Sequence, residues 1–119
     1  MAERVSDSVL YKQERMREML TYIHNHYDED LRVEDIAGAA GISGGECHRA
    51  FKTVLHTTPK DYLNQYRLDK SIELLNGSEY SVTEVANMVG YNFTSHFISS
   101  FKARFGETPR KYRARLGRE

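Results

Sequence analysis

A single cysteine, Cys47, excludes an internal disulfide. No apolar run approaches the ~20 residues needed to cross a bilayer, so no membrane partner is expected. There is no basic start followed by an apolar stretch of the kind that directs secretion, which makes a cytoplasmic location the default expectation. Alternating apolar and polar positions, the mark of half-buried strands, are missing too, and the fold is therefore expected to be all-α. Charge of one sign is also lacking: 17 Lys and Arg cancel 17 Asp and Glu, against the basic balance common in nucleic-acid-binding chains. The 119 residues suffice for one domain, or for two small subdomains sharing a helix, with a modest core.

The zero total hides a gradient. Residues 1–60 carry eight basic and ten acidic side chains, whereas residues 61–119 carry nine and seven. From Lys102 to Arg118 the cations Lys102, Arg104, Arg110, Lys111, Arg113, Arg115 and Arg118 face only Glu107. Such a cluster suits phosphate.

Helical periodicity and punctuation divide the chain. Met16, Met19, Leu20, Ile23 and Tyr27 follow the i, i+3, i+4, i+7 pattern and predict an amphipathic helix over residues 10–27, preceded by a tail at 1–9. A short helix over 33–40 is stopped by Gly41, and Ser43 caps the next, which turns Cys47, Phe51, Val54 and Leu55 inward. Pro59 opens the longest element, a linking helix over 59–76 with Tyr62, Leu63, Tyr66, Ile72, Leu74 and Leu75 as its apolar set. Ser81 and Glu84 form a capping box for a helix ending at Gly90. A helix over 93–105 is closed by Gly106, and Pro109 opens a last short one, for about seven helices in all.

One feature decides the organisation: the chain repeats. Ile36-Ala37 and Gly41-Ile42 recur as Val85-Ala86 and Gly90-Tyr91, at a spacing of 49. Phe51-Lys52, Thr58-Pro59 and Tyr62 recur as Phe101-Lys102, Thr108-Pro109 and Tyr112, at a spacing of 50. Each copy reads as short helix, glycine turn and second helix, the helix-turn-helix arrangement, giving subdomains at 10–58 and 77–119. Ala37 or Ala86 lets the second helix pack closely, and glycine at 41 or 90 supplies the left-handed conformation of a sharp turn. The second helix is then free to present its N-terminal part to a major groove, where base edges are distinguishable.

These residues resemble the AraC/XylS family of transcription regulators, over roughly residues 14 to 115. The most specific stretch is Gly90-Tyr91 with Ser95 and Phe97, then Phe101-Lys102-Ala103-Arg104-Phe105-Gly106-Glu107-Thr108-Pro109 and Tyr112-Arg113. Arg49-Ala50-Phe51-Lys52, Arg67-Leu68 and Leu74-Leu75 match other family landmarks. The resemblance implies two helix-turn-helix units joined by a long helix, a bacterial regulator that binds double-stranded DNA, and often an activator that contacts RNA polymerase. Many relatives carry an effector-binding or dimerisation domain before this one, and the chain is read as the C-terminal part of such a protein. No cofactor is implied.

The expected DNA-binding face of the first unit holds Ser43, Gly44, Gly45, Glu46, His48 and Arg49, with Lys52 one turn later. Arg49 is the foremost base reader, since a guanidinium can bridge O6 and N7 of guanine; the competing role is a surface ion pair with Glu46 or Asp61. His48 and Glu46 either contact bases or are simply solvated. The second unit offers Phe93, Thr94, Ser95, His96 and Ser99, followed by Lys102. Ser99 stands where a basic residue is common in the family, so this helix is expected to read through hydroxyls, His96 and thymine-methyl contact, or mainly to hold the backbone. Gly44-Gly45 departs from the family's larger residues, loosening the helix start while allowing close backbone approach. Arg110, Lys111 and Arg113 suit phosphate at the start of the last helix. A linking helix of about 17 residues would span roughly 25 Å, enough for one chain to cover two adjacent groove segments of an asymmetric site.

Enzymatic chemistry finds little support. Cys47 and His48 are neighbours on a helix and point about 100° apart, which does not make a nucleophile and base pair. Cys47 reads as a packing residue. His24 and His26 also diverge, and no cysteine pair offers a zinc clamp, so no metal site is expected. The stronger rival is an interaction module that kept the fold and lost DNA binding, favoured by zero net charge and by the Arg-poor second recognition helix.

Overall fold

The computed structural model describes residues 7–77 and 79–116; residues 1–6 of the expected tail and Arg118 of the basic cluster lie outside them. Among the described residues there are seven helices and no strand: α1 (Asp7–His26), α2 (Val33–Ala39), α3 (Gly44–Leu55), α4 (Pro59–Asn76), α5 (Val82–Met88), α6 (Thr94–Phe105) and α7 (Pro109–Leu116). Helix α1 begins three residues before the position that periodicity predicts, and it ends at His26, leaving Tyr27 outside it. Helix α6 starts at Thr94, with Phe93 as its N-cap.

The chain forms two compact units. The first comprises α1 with Leu31–Tyr62, and the second comprises Tyr27–Asp30 with the described residues from Leu63 onward. Helix α4 therefore begins in one and continues in the other.

In the first unit α2 packs on α3 and on α1. Met16, Met19, Ile23, Ile36, Ala37, Ala40, Cys47 and Phe51 are buried. Complete burial of a side chain such as Met19, Ile23 or Phe51 contributes on the order of 2 kcal/mol, and the ring of Phe51 meets Tyr62 edge-on at 5.9 Å. Val54, expected inward, is 50 % exposed. Cys47 and Phe51, four apart, already fill the inward stripe of α3, and position 54 falls to its edge.

The second unit encloses Leu68, Leu75, Val85, Ala86, Val89, Tyr91, Phe97 and Phe101, with Tyr27, Ile72, Phe105 and Tyr112 packed around them. Tyr91, Phe97, Phe101, Phe105 and Tyr112 form a chain of ring contacts between 4.6 and 5.8 Å. Phe51, Phe97 and Phe101 are fully buried, and Phe105, Tyr62 and Tyr112 half-buried. At the position of Phe97 the first unit has the smaller Cys47.

Both helix-turn-helix corners use one backbone device. Ile42 N–H donates to the Ala37 carbonyl (3.1 Å) and Gly41 N–H to that of Gly38 (3.1 Å); Tyr91 donates to Ala86 (2.9 Å) and Gly90 to Asn87 (3.1 Å). This is the Schellman arrangement, which closes a helix through a left-handed residue. Gly41 and Gly90 supply it, at φ +70° and +104°. The repeated small-residue and glycine spacing is thus a repeated hydrogen-bond pattern.

Candidate nucleic-acid interface

Ser43 opens the recognition helix of the first unit. Its hydroxyl accepts the Glu46 N–H at 3.1 Å and the Glu46 carboxylate accepts the Ser43 N–H at 3.1 Å, a reciprocal capping box. The Ser43 backbone N–H and hydroxyl hold the Glu46 carboxyl below the usual carboxylate range, with the Arg49 charge adding a smaller pull. Glu46 is therefore committed to the helix start. Two glycines follow at no visible cost in helicity, because the cap holds the first turn.

Gly45, Glu46, His48, Arg49 and Lys52 are all exposed, and Gly44 is half-buried. The Arg49 guanidinium lies over Gly45: a Cβ built there would be 3.6 Å from its Nη1. Arg49 forms no ion pair with Glu46 or Asp61 among the described residues, although its charge acts on the Glu46 carboxyl. His48 and Lys52 likewise make no ion pair among the described residues. The structure thus leaves Gly45, Glu46, His48, Arg49 and Lys52 exposed on α3, with Glu46 feeling the Arg49 charge but no ion pair formed between them.

The second recognition helix starts differently. Phe93 provides no side-chain cap, and α6 has no acidic residue in its first turn. The N–H groups of Thr94 and Ser95 thus have no side-chain cap, while that of His96 donates to the Phe93 carbonyl at 3.1 Å; an uncapped first turn without an acidic residue favours an anion. Phe93 is 72 % exposed. The His96 ring stands edge-on against Tyr91 at 5.2 Å, and the Ser99 hydroxyl donates back to the His96 carbonyl at 3.3 Å. Ser99 is so engaged with its own helix, a common fate of a mid-helix serine. Thr94 is half-buried, while Ser95, His96, Ser99 and Lys102 are exposed.

The basic C-terminal cluster separates into two sets. Arg104 pairs with Asp69 at 2.9 Å, Arg115 pairs with Glu107, and Arg113 donates from Nε to the Leu75 carbonyl at 3.1 Å. Arg113, expected on phosphate, instead closes the end of α4; the Tyr112 ring beside it turns into the core, and the last carbonyls of α4 need donors. Lys102, Arg110 and Lys111 are exposed and have no ion pair among the described residues. Thr108 caps α7, its hydroxyl accepting the Lys111 N–H at 3.2 Å.

Sequence reasoning missed Arg67. Its guanidinium donates to the Tyr27 carbonyl from Nε and to the Glu29 carbonyl from Nη2, both at 2.7 Å, and lies 5.9 Å from the centre of the Tyr91 ring. The Tyr91 hydroxyl donates to Asn64 Oδ1, and burial pushes that phenol up to about 12. Arg67 and Asn64 thereby hold the turn that leads into α6. The only signal in the sequence was Arg67-Leu68 as a family landmark, which names no partner.

Among the described residues no three His, Cys, Asp or Glu side chains converge as metal ligands do, and no helix is long and apolar enough to cross a membrane.

Comparison with known proteins points one way. Residues 36–115 match the helix-turn-helix domain family. Over 106 residues the chain is 46% identical to the uncharacterised HTH-type transcriptional regulator YdeC of Bacillus subtilis, covering 89% of this chain and 36% of that protein. The chain thus spans about a third of the length of the curated relatives it matches. An AraC-type transcriptional regulator structure from Chromobacterium violaceum superposes with a TM-score of 0.81 at 30% identity, covering 87% of this chain and 93% of that one. The DNA-binding domain of AdpA, a global transcriptional factor solved in complex with a target DNA, gives a TM-score of 0.80 at 29% identity, covering 84% and 90%.

Proposed function

Since the chain belongs to the helix-turn-helix domain family and has the fold of AraC-type DNA-binding domains, we propose that it is the DNA-reading part of a transcription regulator. The exposed face of α3 carries this reading: Arg49 stands in solvent one turn beyond the capped helix start and Lys52 in the last turn, neither in an ion pair among the described residues. Arg49 reads a base edge, and Lys52, Lys102, Arg110 and Lys111 hold phosphates. The second helix contributes through Phe93, Thr94, Ser95 and His96, and its open N-terminus favours backbone anchoring over dense base contact. The two faces differ in chemistry, so the site they read is asymmetric.

Activation through RNA polymerase, control by an effector-binding or dimerisation domain, and action in the cytoplasm belong to the same proposal. They are supported by the resemblance to transcription regulators about two and a half times as long as this chain.

The test is selection of bound duplexes from a random pool, followed by titration of the selected duplex at several salt concentrations. An asymmetric motif of about 15 to 20 base pairs, bound more weakly as salt rises, is the expected result. Absence of both enrichment and salt-sensitive binding would show an interaction module that retained only the fold.

A further inference from the structure

Beside the recognition helix of the first unit runs a groove of about 390 Å³, between the N-terminal half of α1 and the flank of α3. Its floor is apolar, formed by Ile42, Ala50 and Val54, and the Tyr11 ring makes a wall. That ring is held in place: the Arg15 guanidinium lies 4.7 Å from its centre and is itself bound to Glu18 at 2.8 Å. The charged groups on the rim are Lys12, Arg15, Glu46 and Arg49. Arg15 is offset by Glu18, and Glu46 is tied into the cap of α3. Glu46 stays charged and acts on Arg49, so three cations and one carboxylate share the rim and its balance is positive, with Lys12 in no ion pair among the described residues.

We infer that this groove is an additional DNA-contact surface, seating the deoxyribose-phosphate strand that borders the base pairs read by α3, with Lys12 on a phosphate and Tyr11 against a sugar. The inference rests on the DNA-binding reading above. Two observations carry it. The groove is continuous with the proposed reading face, because Arg49 belongs to both. Its composition also matches a nucleic-acid backbone, whose sugar faces are apolar and whose phosphates sit outside them. A strand leaving the major groove meets both the apolar floor and the positive balance of the rim in turn.

The experiment uses the whole chain and the selected duplex, comparing Lys12→Gln, Tyr11→Ala and, as a control for general charge, Lys60→Gln. Lys12 and Lys60 are exposed, and unchanged thermal unfolding verifies that the variants fold. Lys12→Gln is expected to lower the slope of log K against log salt by about 0.9, the loss of one phosphate contact, with Lys60→Gln near wild type. Tyr11→Ala is expected to weaken binding several-fold at an unchanged slope. Trimming the duplex at the end bound by the first unit should weaken wild type to the level of Lys12→Gln and leave that variant nearly unaffected. If wild type binds the duplex while Lys12→Gln and Tyr11→Ala match it in affinity and slope, the groove does not touch DNA and only this inference falls. If wild type binds no duplex, the DNA-binding reading falls and takes the groove with it.

Discussion

The Arg67 guanidinium occupies the space that a side chain at position 90 would need. A Cβ built on Gly90 would sit 2.7 Å from Arg67 Nε and 2.6 Å from the Tyr27 carbonyl oxygen that this nitrogen binds. Gly41, at the same corner of the first unit, has nothing within 4 Å of its Cβ position. The two corners share a backbone pattern and differ in what surrounds it.

That difference predicts unequal costs for one substitution. Gly41→Ala meets only the left-handed backbone, a cost of about 1 to 2 kcal/mol. Gly90→Ala adds a collision with backbone and with a bound guanidinium, so its cost should exceed that of Gly41→Ala by about 2 kcal/mol or more. Urea unfolding of the two variants provides the comparison. Equal losses would mean that Arg67 does not crowd the corner.

A second asymmetry lies at the ends of the recognition helices. Gly106 takes a left-handed conformation after α6 at φ +84°, and the matching residue after α3 is His56 at φ +58°. His56→Gly should therefore stabilise the chain by about 1 kcal/mol, and Gly106→His should destabilise it by a similar amount. The thermal midpoints should move in opposite directions.

Arg49→Ala should weaken binding to the selected duplex far more than to random duplex, with a discrimination loss of about 1 to 3 kcal/mol. Competitive titration against random DNA measures it. Equal losses on both would reassign Arg49 to the backbone.

The division of the basic cluster makes a separate prediction. Replacing Lys102, Arg110 or Lys111 by Gln should each lower the salt slope by about 0.9. Arg104→Gln and Arg115→Gln should change it less, because Asp69 and Glu107 already face those cations. A uniform effect over all five would show that the ion pairs open on DNA.

Burial pushes the Cys47 thiol up to about 11. Its folded form holds the proton more tightly than the unfolded chain, whose thiol titrates near 8.5. The resulting contribution is complete below about pH 8.5 and is lost as pH rises toward about 11, at up to about 1.4 kcal/mol per pH unit. Stability measured across that window should fall more steeply in the wild type than in Cys47→Ala. Thiol labelling at pH 8 should proceed only as fast as the first unit opens; rapid labelling of the folded chain would contradict the burial.

Much of this was legible from residue order. Helix positions follow from local rules, since caps such as Ser43 and Ser81, openers such as Pro59 and Pro109, and glycines 41, 90 and 106 act within a few residues of themselves. The repeat at 49 to 50 residues disclosed the two corners for the same reason: one backbone device written twice leaves the same letters twice. The placement of Ser43 through Arg49 and of Phe93 through His96 at the starts of α3 and α6 came with them.

Partner choice among charges was not legible. Arg113 and Lys111 look alike in the sequence, yet one closes α4 through the Leu75 carbonyl and the other faces solvent. Arg67 bonds carbonyls 38 and 40 residues away, and no periodicity encodes such a distance. Val54 showed the same limit in packing, being apolar by type and exposed by its place on the helix rim. Helix, cap and turn depend on neighbours along the chain, so the sequence by itself determined them. Which cation is neutralised, which glycine is crowded and which apolar residue stays in solvent depend on groups that meet only when the helices pack, and the tertiary structure alone decided those.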